Sequence, residues 1–198
     1  MTVAPPPSAS DVAHGRRSVP NGVWGMLLLI ATEAALLGTL VVTSFYLELR
    51  SPAWPPPGIE PPPLTAPLVL TGVLVLTIAP MLLAARAAGR GRRGAAVWLV
   101  ALATVVQAGY LAWQIVLFVD DLDRFSADGT AYGSVHFTLL GAHHAHVAVG
   151  LLLNLWVLAR LASGLTPYRV VTVRCVALYW AFVGVFAVLV AVAQVSAS

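Results

Sequence analysis

Two groups of side chains in this sequence have types and spacing that could do chemistry. Glu33 stands inside a long apolar run, and His136, His143, His144 and His146 crowd into another. A carboxylate in hydrocarbon is costly, so such a residue is neutral, paired or functional. A neutral carboxyl there could carry a proton, and one bonded to a neighbouring helix could serve structure alone. At about 100° per residue, His136 and His143 fall on nearly one helical stripe, with His146 about 60° to one side and His144 about 100° to the other. A metal site is one reading of that cluster. Hydrogen bonding to other helices or to lipid headgroups is the alternative. Zinc and copper want ligands converging from more than one element. A bis-histidine haem in the membrane needs two helices, and the remaining histidine, His14, lies in the N-terminal stretch. The residues therefore predict no metal in this chain.

Other chemistries are excluded by composition. Cys175 is the single cysteine, so neither an internal disulfide nor a thiolate cluster can form. All basic residues are Arg, and the absence of Lys removes Schiff-base catalysis. Gln107 and Gln114 lie one heptad apart and are expected to satisfy hydrogen bonds between helices.

The elements that position these groups follow from composition. Hydrophobic residues make up 59% of the chain and charged residues 10%, where a soluble domain carries roughly 25% charged residues. Mean hydropathy is +0.87. Lipid must be the solvent for most of the chain. Five apolar runs, at about 24–47, 65–85, 95–119, 132–161 and 170–195, are each long enough to cross a bilayer. The expected fold is an all-α, polytopic bundle of five transmembrane helices over residues 20–198. Residues 1–19, rich in Pro, Ala and Ser, are expected to form a disordered cytoplasmic tail. Arg16 and Arg17 precede a run too long for a signal peptide and interrupted by Glu33.

Charge in the connections supports the count. Arg16 and Arg17 precede the first run. Arg86, Arg90, Arg92 and Arg93 follow the second, and Arg160, Arg169 and Arg174 surround the last turn. The first connection carries only Arg50, beside Glu48 and Glu60. The third sets Asp120, Asp121, Asp123 and Asp128 against Arg124 alone. Arg density alternates with each crossing, which predicts a cytoplasmic N-terminus and an outer C-terminus. The net charge of +3 thus reflects orientation, with no nucleic-acid partner. The proline-dense connection from Ser51 to Pro63 reads as a stiff outer hairpin, with Trp54 at the membrane interface.

Four strings, in order, resemble subunit III of the haem–copper respiratory oxidases. They are Trp24-Gly25-Met26 with Glu33 and Phe45-Tyr46; Trp54-Pro55-Pro56-Pro57-Gly58-Ile59; Tyr132-Gly133-Ser134 leading to Gly141, His143, His146 and Val147; and Ala177-Leu178-Tyr179-Trp180 with Phe182-Val183. The resemblance covers about Asn21 to Val195 and implies a short, five-helix bacterial-type member. It implies a non-catalytic subunit of a cytochrome c or quinol oxidase in the bacterial cell membrane, packed on subunit I. Haem and copper would sit in that partner, with phospholipid bound between the helices and other oxidase subunits nearby. Glu33 falls on the family's intramembrane, carbodiimide-reactive glutamate. His143 and His146 fall on its histidine motif. With His136, Gln114, Trp54 and Trp180 they are the expected lipid or interhelix polar contacts.

The last helix departs from the family pattern W-H-F-V-D. Ala181 and Gly184 replace its histidine and aspartate, and Arg174 stands where many members have Glu, although quinol-oxidase members can have Arg. Leu117 stands where an acidic residue is expected. The polar network joining those groups in the family is therefore expected to be dismantled here. These departures raise a nitric-oxide-reductase-associated member of the same family as an alternative. A small transporter or channel using Glu33 is an alternative from a different class.

Overall fold

The computed structural model describes residues 19–197. The expected tail, with His14, Arg16 and Arg17, lies outside the described residues except for Val19. Among the described residues five long helices, and no strands, account for the fold. They are α1 (Asn21–Arg50), α2 (Thr65–Gly89), α3 (Arg93–Arg124), α4 (Ala131–Ala162) and α5 (Pro167–Ser196). Each is apolar enough to cross a membrane.

The helices run past the apolar windows at several ends. The clearest case is α3, which continues through Asp120, Asp121 and Asp123 to Arg124. Asp120, Asp121 and Asp123 therefore belong to the end of the helix, and the connection begins at Phe125 and keeps only Asp128 of the acidic stretch. Helix α2 is two segments, Thr65–Leu76 and Ile78–Gly89, joined at Thr77. Pro80 explains the break: its ring crowds the carbonyl four residues back and it has no N–H to offer. The Thr77 hydroxyl donates to the Leu74 carbonyl at 2.6 Å beside that gap.

Helix α5 is the hub, packed against α1, α2 and α4, while α3 packs on α2 and α4. The main core joins α2 to α5 around Met81, Val100, Val147, Leu161 and Trp180. By contrast α1 buries only Leu37, Val41 and Ser44. It presents Trp24, Leu28, Leu36, Val42 and Leu49 outward.

The proline-dense loop between α1 and α2 is ordered by its own chemistry. Pro56 to Ile59 form a tight turn, with the Ile59 N–H donating to the Pro56 carbonyl at 3.2 Å. Gly58 takes the positive φ that the third position of a type II turn demands. Trp54 packs edge-on against Tyr132, ring centroids 5.2 Å apart. That contact ties the hairpin to the start of α4. Thr130 caps α4 and Thr166 caps α5, each side chain accepting a backbone N–H.

Candidate functional site

A polar seam runs through the helix interfaces. At its centre is a chain of side-chain hydrogen bonds that visits four helices in turn. The Trp180 indole on α5 donates to Asn154 Oδ1 on α4 at 2.9 Å. Asn154 Nδ2 donates to Gln107 Oε1 on α3 at 2.8 Å. Gln107 Nε2 donates to Thr77 Oγ1 on α2 at 2.9 Å. Trp180, Asn154 and Gln107 are fully buried. Every link points the same way, so each acceptor is also a donor, and the chain ends on the Leu74 carbonyl. In lipid no water can replace such bonds, so they fix which helix face meets which.

Further along α3, the Tyr110 hydroxyl meets His143 Nε2 at 2.8 Å. Gln114 donates to that same hydroxyl at 3.2 Å. Gln114 therefore bonds within its own helix and reaches α4 only through Tyr110. Sequence reasoning expected a direct interhelical bond. One heptad beyond Gln114, Asp121 turns inward and meets His136 Nε2 at 3.0 Å, with both side chains buried. Tyr132 stacks on His136. A cavity of about 30 Å³, lined among others by Trp54, Tyr132, His136 and Ser44, lies under the proline loop. It is the size of a water molecule or two. On the exposed loop beyond, the Ser126 hydroxyl and a backbone N–H hold the Asp128 carboxyl below the usual carboxylate range.

Glu33 is not isolated. Its Oε2 lies 3.1 Å from His146 Nε2. The other ring nitrogen of His146 faces the Ala142 carbonyl at 2.7 Å. The Ala142 carbonyl can only accept, so Nδ1 carries a proton, and in the neutral ring Nε2 is left as a hydrogen-bond acceptor facing the Glu33 carboxyl. The pair lines a groove of about 180 Å³ with Leu29, Val149 and Tyr179. The Tyr179 hydroxyl donates to the His146 carbonyl at 2.9 Å, which ties α5 to the same turn. Glu33–His146 and the Ser196–Glu48 bond at 3.0 Å are polar ties between α1 and the rest.

The histidines thus separate as the helical wheel requires. His136 and His143 turn toward α3, and His146 turns toward α1. His144 sits against Phe118 with its Nε2 unpartnered. Among the described residues no group of three His, Cys, Asp or Glu side chains converges. The seam also contains residues that were not among the expected polar contacts: Thr77, Tyr110, Asp121, Asn154 and Tyr179. Signals in the sequence pointed to two of them, Asp121 and Asn154. Gln107, Gln114 and Asp121 repeat every seven residues, and Asn154 is a lone amide in the run Gly150-Leu151-Leu152-Leu153-Asn154-Leu155. The polar interior is not emptied by Ala181 and Gly184. Among the described residues its polar side chains lie on α2, α3, α4 and α5.

Replacing Glu33 by Gln is expected to leave folding and assembly intact. The amide nitrogen of a glutamine can donate to His146 Nε2 and keep the contact. Glu33→Leu removes that donor and should loosen α1, lowering the thermal midpoint by a few degrees, for a loss of about 1–2 kcal/mol. Equal loss in the two variants would contradict a hydrogen-bonding role.

This arrangement defines a polytopic membrane subunit whose interior polar groups join helix to helix. The family described as cytochrome c oxidase subunit III matches residues 10–194, and the chain belongs to that family. It is 28% identical over 177 residues to the cytochrome bo(3) ubiquinol oxidase subunit 3 of Pseudomonas aeruginosa, an alignment spanning 88% of this chain and 84% of the relative. It is 27% identical over 187 residues to the quinol oxidase subunit 3 of Bacillus spizizenii, spanning 87% of this chain and 89% of that one. The same figures hold for the quinol oxidase subunit 3 of Bacillus subtilis. The chain is a multi-pass membrane subunit III of a haem–copper terminal oxidase.

Proposed function

We propose that this chain is the non-catalytic, structural and lipid-holding subunit of a quinol-type oxidase in a bacterial cell membrane. The observation that carries the reading is the use made of the histidines. His136, His143 and His146 are each engaged by a carboxyl or phenol on a neighbouring helix. Each of these rings thus serves as a strut between helices through one of its nitrogens. Haem and copper belong to subunit I, against which this bundle packs. Phospholipid occupies grooves such as the one beside Glu33 and His146. The names of its relatives and the presence of Arg174 both favour quinol as electron donor.

Purification of the tagged chain from its native membrane in mild detergent tests this. The complex should contain a haem-bearing subunit I, show a haem spectrum and oxidise quinol. The chain expressed alone should bind no haem or copper. Stoichiometric haem in the isolated chain would overturn the non-catalytic role. A purified complex that reduces nitric oxide but not oxygen would favour the reductase-associated relative.

Orientation follows from the arginines, with the N-terminus inside. In a Cys175→Ala background, Ala53→Cys should react with an impermeant maleimide from outside intact cells. Ser163→Cys should react only after permeabilisation. The reverse pattern would invert the topology.

A further inference from the structure

Four arginines crowd the α2–α3 turn, and the fold uses one of them. Arg93 caps α4, donating from Nε to the Leu161 carbonyl at 2.7 Å and from Nη2 to the Ala162 carbonyl at 2.6 Å. The side chains of Arg86, Arg90 and Arg92 make no hydrogen bond or ion pair among the described residues. All three are exposed and line a single groove of about 360 Å³. Its apolar walls include Leu83, Ala87 and Leu99.

Backbone geometry brings them together. Helix α2 ends in a Schellman motif, with the Arg92 N–H donating to the Ala87 carbonyl at 2.9 Å and the Gly91 N–H to the Ala88 carbonyl at 3.0 Å. Gly91 supplies the left-handed conformation at φ 74°. The chain therefore turns back at once, and Arg92 shares the groove with Arg86 and Arg90, which lie one helical turn apart. The negative end of the α2 dipole offsets only about half a charge. Three guanidiniums remain, over an apolar floor, at the end of a membrane-spanning helix.

We propose that this groove binds the headgroup of an anionic phospholipid. The arginines take the phosphate oxygens through paired N–H donors, and an acyl chain follows Leu83 and Leu99 into the bilayer. A headgroup with two phosphates suits three guanidiniums better than one with a single phosphate. A soluble phosphate compound would match the arginines but leave the apolar walls uncovered. The site stands on different helices from the Glu33–His146 groove, so either can fail without the other.

The test uses the intact oxidase complex in mild detergent, with bound lipid counted by native mass spectrometry. Cardiolipin, phosphatidylcholine and inorganic pyrophosphate are titrated separately. The Arg86→Gln/Arg90→Gln/Arg92→Gln complex should retain one cardiolipin fewer, with affinity for that lipid weakened about tenfold or more. Phosphatidylcholine binding should not change, and added salt should weaken the lost site in the parent complex. Should the triple variant fail to assemble, Arg90→Gln and Arg92→Gln carry the test singly, each with a severalfold loss. Equal cardiolipin retention by parent and variants would overturn the proposal. So would pyrophosphate competing as tightly as the lipid, which marks a soluble-anion site. Cross-linking of the groove to an acidic segment of a neighbouring subunit would overturn it in favour of a protein contact.

Discussion

A valine at position 150 is expected to prevent assembly of the subunit. A Cβ on Gly150 would lie 2.6 Å from Trp180 Cζ2 and 3.0 Å from two further ring atoms. The contact is with the body of a buried aromatic ring, not the tip of a flexible chain. Trp180 has no exposed surface, and its N–H is tied to Asn154. The ring can yield only by breaking that bond and opening the α4–α5 interface. Overpacking costs about 1–3 kcal/mol, and stranding the indole and Asn154 adds about 1–3 more. Together these are a large share of the margin of a protein this size. Gly150→Val should lower the yield of assembled oxidase by an order of magnitude or more, with Gly150→Ala intermediate. Gly150→Ala combined with Trp180→Leu should cost less than the two changes summed, because the second removes the clash. A Gly150→Val chain with the parent thermal midpoint would refute the steric argument.

Loss of Asn154 is expected to have the next largest effect. This side chain is the node through which α5 and α3 are joined. Asn154→Leu strands the Trp180 N–H and Gln107 Oε1 in the membrane interior at once. Each orphan costs about 1–3 kcal/mol in mutational terms, while single interhelical bonds in membranes average about 0.6. A total of about 2–3 kcal/mol is the expected loss, read as a lower midpoint in detergent. Gln107→Leu should cost less, since it strands only Asn154 Nδ2 while the Thr77 hydroxyl keeps its bond to the Leu74 carbonyl. The double variant should cost less than the sum, since it removes both ends of one bond. Strict additivity would show that the four-helix chain does not act as a unit.

The bundle was legible in the sequence because hydrocarbon imposes length and polarity on each span. The site was legible only in part. Glu33, His143 and His146 stood out as polar residues in apolar runs, yet no spacing within one helix reveals a partner 113 positions away. Pairing of Glu33 with His146 depends on how α1 and α4 are rotated, which packing decides. Asp121 was assigned to a connection for a different reason. Hydropathy marks where lipid ends, whereas a helix ends where capping and backbone geometry stop it. Helix α3 outruns its apolar window, and the acidic residue beyond the window folds back onto His136. Thr77 and Tyr110 carried no signal of their own, since both residue types are common in membrane spans.

The meeting of Gly184 with Ile78 constrains how this lineage can change. A Cβ at position 184 would lie 2.5 Å from Ile78 Cδ1 and 3.2 Å from its Cγ1. The nearer atom is the tip of the Ile78 side chain, so an acidic residue at position 184 is accommodated only if that side chain turns aside or is made smaller. Ile78→Ala followed by Gly184→Asp is a passable route, whereas the reverse order goes through a crowded intermediate. Sequences that keep the aspartate should carry a smaller residue at the position of Ile78. The order of change therefore matters: an aspartate at position 184 costs less after Ile78 has been reduced than before.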